Sequence, residues 1–135
     1  MQRIRKHVET ILIARDGWSE PDAVFVSSFG EKTGLGLKGG GDAEVWLTRE
    51  DCQDVLESME AVTARVEANE YEAFSEVYLL QRDDFGLMVP GFVLVSNHGG
   101  EIGLYISVKD GDGGQVWMTP GHSRRVMAAL RAAGQ

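Results

Sequence analysis

The sequence predicts an α+β fold: an internally duplicated ββββα unit whose antiparallel sheets pack on two helices with pseudo-two-fold symmetry. Three observations predict it. The chain of 135 residues can be aligned with itself over most of its length. Several short stretches alternate apolar and polar residues, and a helix start follows each of two Val-Trp pairs. We expect one domain over residues 1–135, with repeat one at residues 1–68 and repeat two at residues 69–135.

The internal repeat is carried by three pairs of matching stretches. Residues 9–16 (ETILIARD) match residues 76–83 (EVYLLQRD), 67 positions later. Residues 34–37 (GLGL) match residues 103–106 (GLYI), 69 positions later. The last pair, VWLT ending at Thr48 and VWMT ending at Thr119, is 71 positions apart. The separation grows only in stretches typical of turns, where insertions are tolerated best.

Each repeat is predicted to contain four strands before its helix. Ile102, Leu104, Ile106 and Val108 alternate with Gly, Tyr and Ser, which indicates a half-buried strand. Glycine-rich stretches between such runs predict hairpin turns, and proline-containing stretches predict the longer first connections. These turns and connections are residues 39–42, 110–114, 18–22 and 85–91.

A helix is predicted at the end of each repeat. Thr48 is a favourable N-cap with Asp51 near the positive end of the helix, and Thr119 is followed by Pro120, which is favoured at the first helical position. Apolar residues then recur at helical spacing, for example at Val55, Leu56, Met59 and Val62. Residues 64–73 lack the Gly, Ser and Pro of a flexible linker, so we expect them to continue the first helix.

The composition bears on location and on partners. The net charge is -8, from 13 basic and 21 acidic residues, which disfavours charge-driven attraction to nucleic acid or to an anionic membrane. No apolar run is long enough to cross a bilayer, so no membrane partner is expected. The basic start has no small-residue cleavage site, and Cys52 is the single cysteine, so a cytoplasmic location is expected.

The sequence shows no enzyme signature. Cys52 falls in the apolar stripe of its helix and no histidine is close to it in sequence, so we interpret it as a core residue. The three histidines lack metal-site spacing, and the glycine-rich stretches lack the phosphate-binding pattern. We therefore expect no catalytic site, no metal and no cofactor.

Aromatic residues on the sheets are the first candidates for a binding site. Phe25, Trp46, Tyr105 and Trp117 are predicted to lie opposite the aliphatic face of the sheets. Exposed aromatics on a sheet can stack unpaired bases, and they can equally form a core between the repeats or an interface between copies. The cations expected to assist base stacking are Lys38, Arg15 and Arg82.

The acidic face of the first helix is the second candidate. Its carboxylates are Glu50, Asp51, Asp54, Glu57 and Glu60. They fit a surface that docks on a basic protein partner, and they also fit an ordinary solvated helix face.

The element order resembles a known fold. Two tandem ββββα units with a Thr-capped helix after the fourth strand resemble PUR-repeat proteins. They also resemble the Whirly proteins and the single-stranded-DNA-binding transcriptional coactivator whose two chains pair as these repeats would. The resemblance covers nearly the whole chain and rests on element order and on the VWLT and VWMT stretches. It implies single-stranded nucleic-acid binding on the sheet face.

Two functions remain open. The first is a non-enzymatic protein-interaction or regulatory module, such as a regulator, an immunity-type inhibitor or an assembly subunit, that binds a protein partner or self-associates as a homodimer. The alternative is a single-stranded DNA- or RNA-binding protein that uses the aromatic sheet face. Nine Arg against four Lys, with many Ala and Gly, indicate a bacterial or phage origin.

Overall fold

The computed structural model describes residues 4–14, 17, 19–70, 74–82, 87–108 and 112–134, with the backbone alone at residues 82 and 112. In chain order the elements are β1 (Lys6–Ile13), β2 (Asp22–Phe29), β3 (Lys32–Lys38), β4 (Ala43–Leu47), α1 (Arg49–Glu67), β5 (Phe74–Arg82), β6 (Met88–His98), β7 (Glu101–Val108), β8 (Asp112–Met118) and α2 (Pro120–Ala133). The predicted fold class is confirmed. Sheet one is antiparallel in the order β1-β2-β3-β4, and sheet two in the order β5-β6-β7-β8.

One face of each sheet is aliphatic and buried. In sheet one Leu35 lies between Val26 and Val45, and in sheet two Leu104 lies between Val95 and Val116. These side chains are fully buried and belong to one continuous hydrophobic cluster with those of both helices. The period-two alternation of the sequence is therefore the alternation between this inner face and an outer face on each sheet.

The alignment of the first strands differs by one residue from the sequence prediction. Ile11 pairs with Val24, and the residue in the same position of sheet two is Val77, which pairs with Val93. The strands β1 and β5 therefore correspond 66 positions apart, not 67. A slip of one residue exchanges the two faces of a strand, so the residue equivalent to Glu9 is Ser75 rather than Glu76.

Both helices begin where predicted. The Thr48 side chain accepts a hydrogen bond from the Asp51 backbone N–H, and the Asp51 carboxylate accepts one from the Thr48 N–H. Thr119 and His122 form the same reciprocal cap, with Pro120 in the first turn. These pairs satisfy backbone donors that a helix start leaves without partners.

The predicted continuation of the first helix is wrong. The helix α1 ends at Glu67, and Asn69 adopts a left-handed conformation with φ 59°. The backbone N–H groups of Asn69 and Glu70 donate to the carbonyls of Val66 and Arg65, which is the Schellman arrangement that closes a helix. Asn is the residue after Gly that best tolerates this conformation.

Asp22, the last residue of one predicted connection, already belongs to β2. Two other predicted turns are also shorter than expected, since Met88 to Gly91 belong to β6, and Gly113 and Gly114 belong to β8. Neither stretch shows the alternation of bulky apolar residues that marks a strand in a sequence, so strand pairing rather than local composition extends them.

The helices are exchanged between the repeats. The helix α1, which follows sheet one, packs mainly on β5 and β6 of sheet two, and α2 packs mainly on β1 and β2 of sheet one. Ser58 on α1 hydrogen-bonds Ser75 on β5 at 2.7 Å, and Arg125 on α2 donates to Glu9 on β1 at 2.8 Å. Each sheet is therefore covered by the helix of the other repeat.

The two helices also contact each other and bury Cys52. Thr63 on α1 and Ser123 on α2 share a fully buried hydrogen bond of 2.8 Å. The Cys52 thiol lies 3.8 Å from the Leu130 carbonyl, and burial raises its pKa, an effect that a hydrogen bond to Thr33 partly opposes. The interpretation of Cys52 as a core residue is confirmed.

Glycines form a seam between the repeats. The backbone of Gly40, in the turn after β3, accepts a hydrogen bond from the Gln115 N–H of β8 at 3.0 Å. A Cβ on Gly40 would lie 2.5 Å from the Gln115 carbonyl oxygen, and one on Gly41 would lie 2.3 Å from that of Gly113. Both separations are shorter than van der Waals contact, so this stretch is a place of backbone-to-backbone contact as well as a turn.

Candidate functional site

On the outer face of each sheet, a Trp ring lies against a glycine of the neighbouring strand. The Trp46 ring lies over Gly34 on the neighbouring strand, and the Trp117 ring lies over Gly103. A Cβ on either glycine would stand within 3.0 Å of the Trp ring carbon Cζ3. Each glycine therefore leaves the space in which a large ring lies against the backbone.

Charged groups lie on the outer face of sheet one. The Arg5 guanidinium lies 5.2 Å from the centroid of the Trp46 ring and forms an ion pair with Glu44. Phe25 is half-buried and lines a groove of about 370 Å³ together with the exposed Lys38. Cations are thus present here, each close to a carboxylate or an aromatic ring.

The outer face of sheet two carries several exposed apolar side chains. On its edge strand β5 the exposed fractions are 70% for Phe74, 76% for Tyr78 and 68% for Leu80. Tyr78 contacts Phe92, and Phe92 contacts Tyr105, with ring centroids 6.4 and 5.5 Å apart. None of the described side chains on this face belongs to Lys or Arg. We call Phe74, Tyr78, Leu80, Phe92, Tyr105 and Trp117 the aromatic face.

The four aromatics singled out from the sequence are divided between the sheets. Phe25 and Trp46 lie on the outer face of sheet one, and Tyr105 and Trp117 on that of sheet two. Trp117 is 38% exposed and meets His98 edge to face. The predicted cation at position 15 lies outside the described residues, and so does the side chain of residue 82.

Sequence reasoning missed the most exposed members of the aromatic face. Val77 and Leu79 are buried on the inner face, and Tyr78 and Leu80 are exposed on the outer face, so residues 77–80 of β5 are apolar on both faces. A strand with two apolar faces indicates either burial on both sides or an interaction surface. This signal was present in the sequence, but faces were assigned from the sequence only to other strands.

The predicted acidic face of α1 separates into three parts. Asp51 caps the helix, and Glu60 forms an ion pair with Arg124 of α2 at 2.7 Å, so both carboxylates hold the fold together. Glu50 is exposed at the helix start. Asp54 and Glu57 line a groove of about 360 Å³ between α1 and the edge of β5, which we call the β5 groove.

Two carboxylates, Glu76 and Glu67, accept hydrogen bonds that shift a pKa. The Tyr78 hydroxyl donates to the Glu76 carboxylate at 2.5 Å, and this hydrogen bond raises the pKa of Tyr78. Hydrogen bonds from Arg124 lower the pKa of Glu67. The raised pKa means that the Tyr78 hydroxyl keeps its proton and donates it to the Glu76 carboxylate.

The described part of the chain shows no group of three or more His, Cys, Asp or Glu side chains placed to hold a metal ion. Within those same residues, neither helix has the length and apolar character needed to cross a membrane. Comparisons with protein-family models, curated proteins and solved structures found no match for this chain.

Proposed function

We propose that this chain is a non-enzymatic binding module whose partner is a protein held by the aromatic face. The observation that carries the proposal is the exposure of Phe74, Tyr78 and Leu80 on one face of one edge strand. Single exposed apolar residues are common on any protein, but a contiguous patch marks an interaction surface. Aromatic residues at the centre of an interface contribute most of its binding energy.

The charge of this face favours a protein over a nucleic acid. Binding of nucleic acid depends on Lys and Arg that neutralise phosphates. The described side chains of the face include Glu76 and Glu101 but no Lys or Arg, and the whole chain carries a net charge of -8. A polyanion would therefore be repelled, whereas an apolar protein surface would bury the rings without that cost.

The edge strand of sheet one presents a smaller apolar surface, since β1 contains no Phe, Tyr or Trp. The positions of β1 that correspond to Glu76 and Tyr78 are Thr10 and Leu12, of which Leu12 is 58% exposed, and the edge is crossed by the ion pair of Arg125 with Glu9. The two repeats thus share a fold but differ in the surface they present. This difference supports a single partner site on the second repeat.

A photo-crosslinking experiment tests the proposal. With p-benzoylphenylalanine in place of Tyr78, we expect a discrete crosslinked protein in cells of the source organism. The same group in place of Arg131, an exposed residue of α2, which packs mainly on sheet one, should give none. Leu80→Lys should weaken the crosslink roughly thirtyfold, because loss of an interface anchor costs about 2 kcal/mol. Equal crosslinking at both positions would contradict a specific face.

A second candidate is single-stranded nucleic-acid binding on sheet one. It is supported by Lys38 beside the Phe25 groove and by the resemblance of the tandem ββββα order to PUR-repeat and Whirly proteins. Asp42 and Glu44 line the same groove and oppose the approach of phosphates.

Fluorescence anisotropy of labelled single-stranded DNA and RNA decides on this candidate. Nucleic-acid binding on sheet one requires an affinity that falls steeply between low and moderate salt. Trp46→Ala should then lower the affinity about tenfold or more, since stacking contributes roughly 1–3 kcal/mol per base. Trp117→Ala, on sheet two, is the matched control and should leave the affinity unchanged. Absence of binding at low salt removes this candidate.

A further inference from the structure

The β5 groove differs from its counterpart in the other repeat by a missing cation. In the first repeat's sheet, Arg125 of α2 reaches across to Glu9 of β1 at 2.8 Å. Arg125 is the sixth residue after the cap Thr119, and the sixth residue after Thr48 is Asp54. Strand pairing makes Ser75 the equivalent of Glu9, since Glu9 pairs with Val26 and Ser75 with Val95.

The β5 groove therefore has a negative lining. Asp54 and Glu57 line it from α1 and Glu76 from β5, and none of the described lining residues is Lys, Arg or His. Its counterpart carries an internal ion pair that spans helix and strand. In the β5 groove, a cation from outside the chain can occupy the position that Arg125 occupies beside Glu9 on sheet one.

The other wall of the groove is a strand edge. Ser75, Glu76, Val77 and Tyr78 are consecutive residues that all line it, which places the backbone of β5 along the groove. In the described residues β5 pairs only with β6, so it is an edge strand of sheet two. Such an edge binds extended segments by main-chain hydrogen bonds.

We propose that the β5 edge binds an extended, basic segment of the partner protein as an added strand. The side chains of an added strand alternate between two faces. Those directed toward α1 meet Asp54 and Glu57, so they are Lys or Arg, and those directed outward continue the apolar row of Tyr78 and Leu80. This inference rests on the proposed function and names the chemistry of the segment that the module recognises.

A synthetic peptide tests the inference on the full-length chain. The probe is a fluorescein-labelled peptide of alternating Lys and Val with the length of β5, nine residues. We expect low-micromolar binding by anisotropy. Replacing each Lys by Glu should abolish binding, and N-methylation of alternate backbone amides should weaken it at least tenfold, because it removes main-chain donors and keeps the charge. Equal binding of the N-methylated peptide would reduce the effect to charge attraction and overturn the inference.

Two variants locate the peptide. Asp54→Arg combined with Ser75→Glu recreates the ion pair of the other half inside the β5 groove and should lower the affinity at least tenfold. Glu50→Arg makes the same charge change as Asp54→Arg on the same helix, outside the groove, and should keep the affinity within about twofold. Loss of binding in both variants to the same extent would contradict a defined site.

The outcome separates this inference from the proposed function. If Tyr78 crosslinks a protein in the wild type and equally in the Asp54→Arg/Ser75→Glu variant, the aromatic face binds a partner and strand addition is wrong. If Tyr78 crosslinks nothing, the proposed function fails. A concentration-dependent dimer in sedimentation that the peptide dissociates would make a second copy the occupant and overturn the assignment to a different protein.

Discussion

Neither half of this chain should fold as a monomer when the two repeats are produced separately. We expect residues 1–70 alone, and residues 71–135 alone, to lack cooperative unfolding as monomers, and an equimolar mixture to recover the native circular dichroism. In residues 1–70, sheet one has lost α2, which covers β1 and β2. Ile11, Val24 and Val26 are fully buried in the intact chain and would be uncovered. Their burial contributes about 5–9 kcal/mol, which is comparable to the whole stability of a typical domain.

Sedimentation and near-ultraviolet circular dichroism measure this result. A chain cut at a protease site inserted after Glu70 is the control, because it contains the same break but is allowed to fold first. It should remain assembled, since α1 and α2 are already exchanged and share the buried bond of Thr63 with Ser123. A folded monomer from either fragment would show that each repeat covers its own sheet.

Much of the fold follows from local patterns in the sequence. The VWLT and VWMT stretches each contain a strand end and a helix cap, so both helices begin at the expected residue. Leu35 and Leu104 lie in alternating runs, and both are central to the buried faces. These features depend on residues close in sequence, which is why pattern reasoning finds them.

The exchange of helices does not follow from such patterns. The apolar stripe of α1 fits either sheet, because both present aliphatic residues at the same spacing. Contacts such as Ser58 with Ser75 and Arg125 with Glu9 join residues that no local rule relates. The end of α1 is different: Asn69 is a helix stop signal visible in the sequence, but the prediction rested on the absence of Gly, Ser and Pro from residues 64–73 and did not take Asn69 into account.

The candidate site was predictable only in part. Tyr105 and Trp117 stand in regular alternating strands, so they were identified as outer-face residues from the sequence. Tyr78 was missed because the apolar run of residues 77–80 has no apolar-polar alternation from which an inner and an outer face could be assigned. The role of Asp54 depends on comparing two grooves in three dimensions, since only the structure shows that Arg125 pairs with Glu9 in the other half.

The glycine seam should be sensitive to substitution by alanine. We expect Gly40→Ala to cost about 1–3 kcal/mol, because its Cβ would stand 2.5 Å from the Gln115 carbonyl oxygen and overpacking has this cost. Gly41→Ala should cost more, about 2–6 kcal/mol, because φ +91° adds backbone strain to a 2.3 Å collision with Gly113. The corresponding fall in Tm is about 4 °C per kcal/mol.

Two other glycines separate the effect of backbone strain from the effect of a steric collision. Gly99 has φ +59° and open space around it, so Gly99→Ala measures the backbone strain alone, at about 1 kcal/mol. Gly100 has open space and no positive φ, and Gly100→Ala should leave Tm nearly unchanged. If Gly40→Ala matches Gly100→Ala in thermal unfolding, the turn after β3 does not rest on β8. If Gly40→Ala lowers Tm by the expected amount, the seam is part of the surface on which the two repeats recognise each other. The same substitution in residues 1–70 should then also weaken their association with residues 71–135.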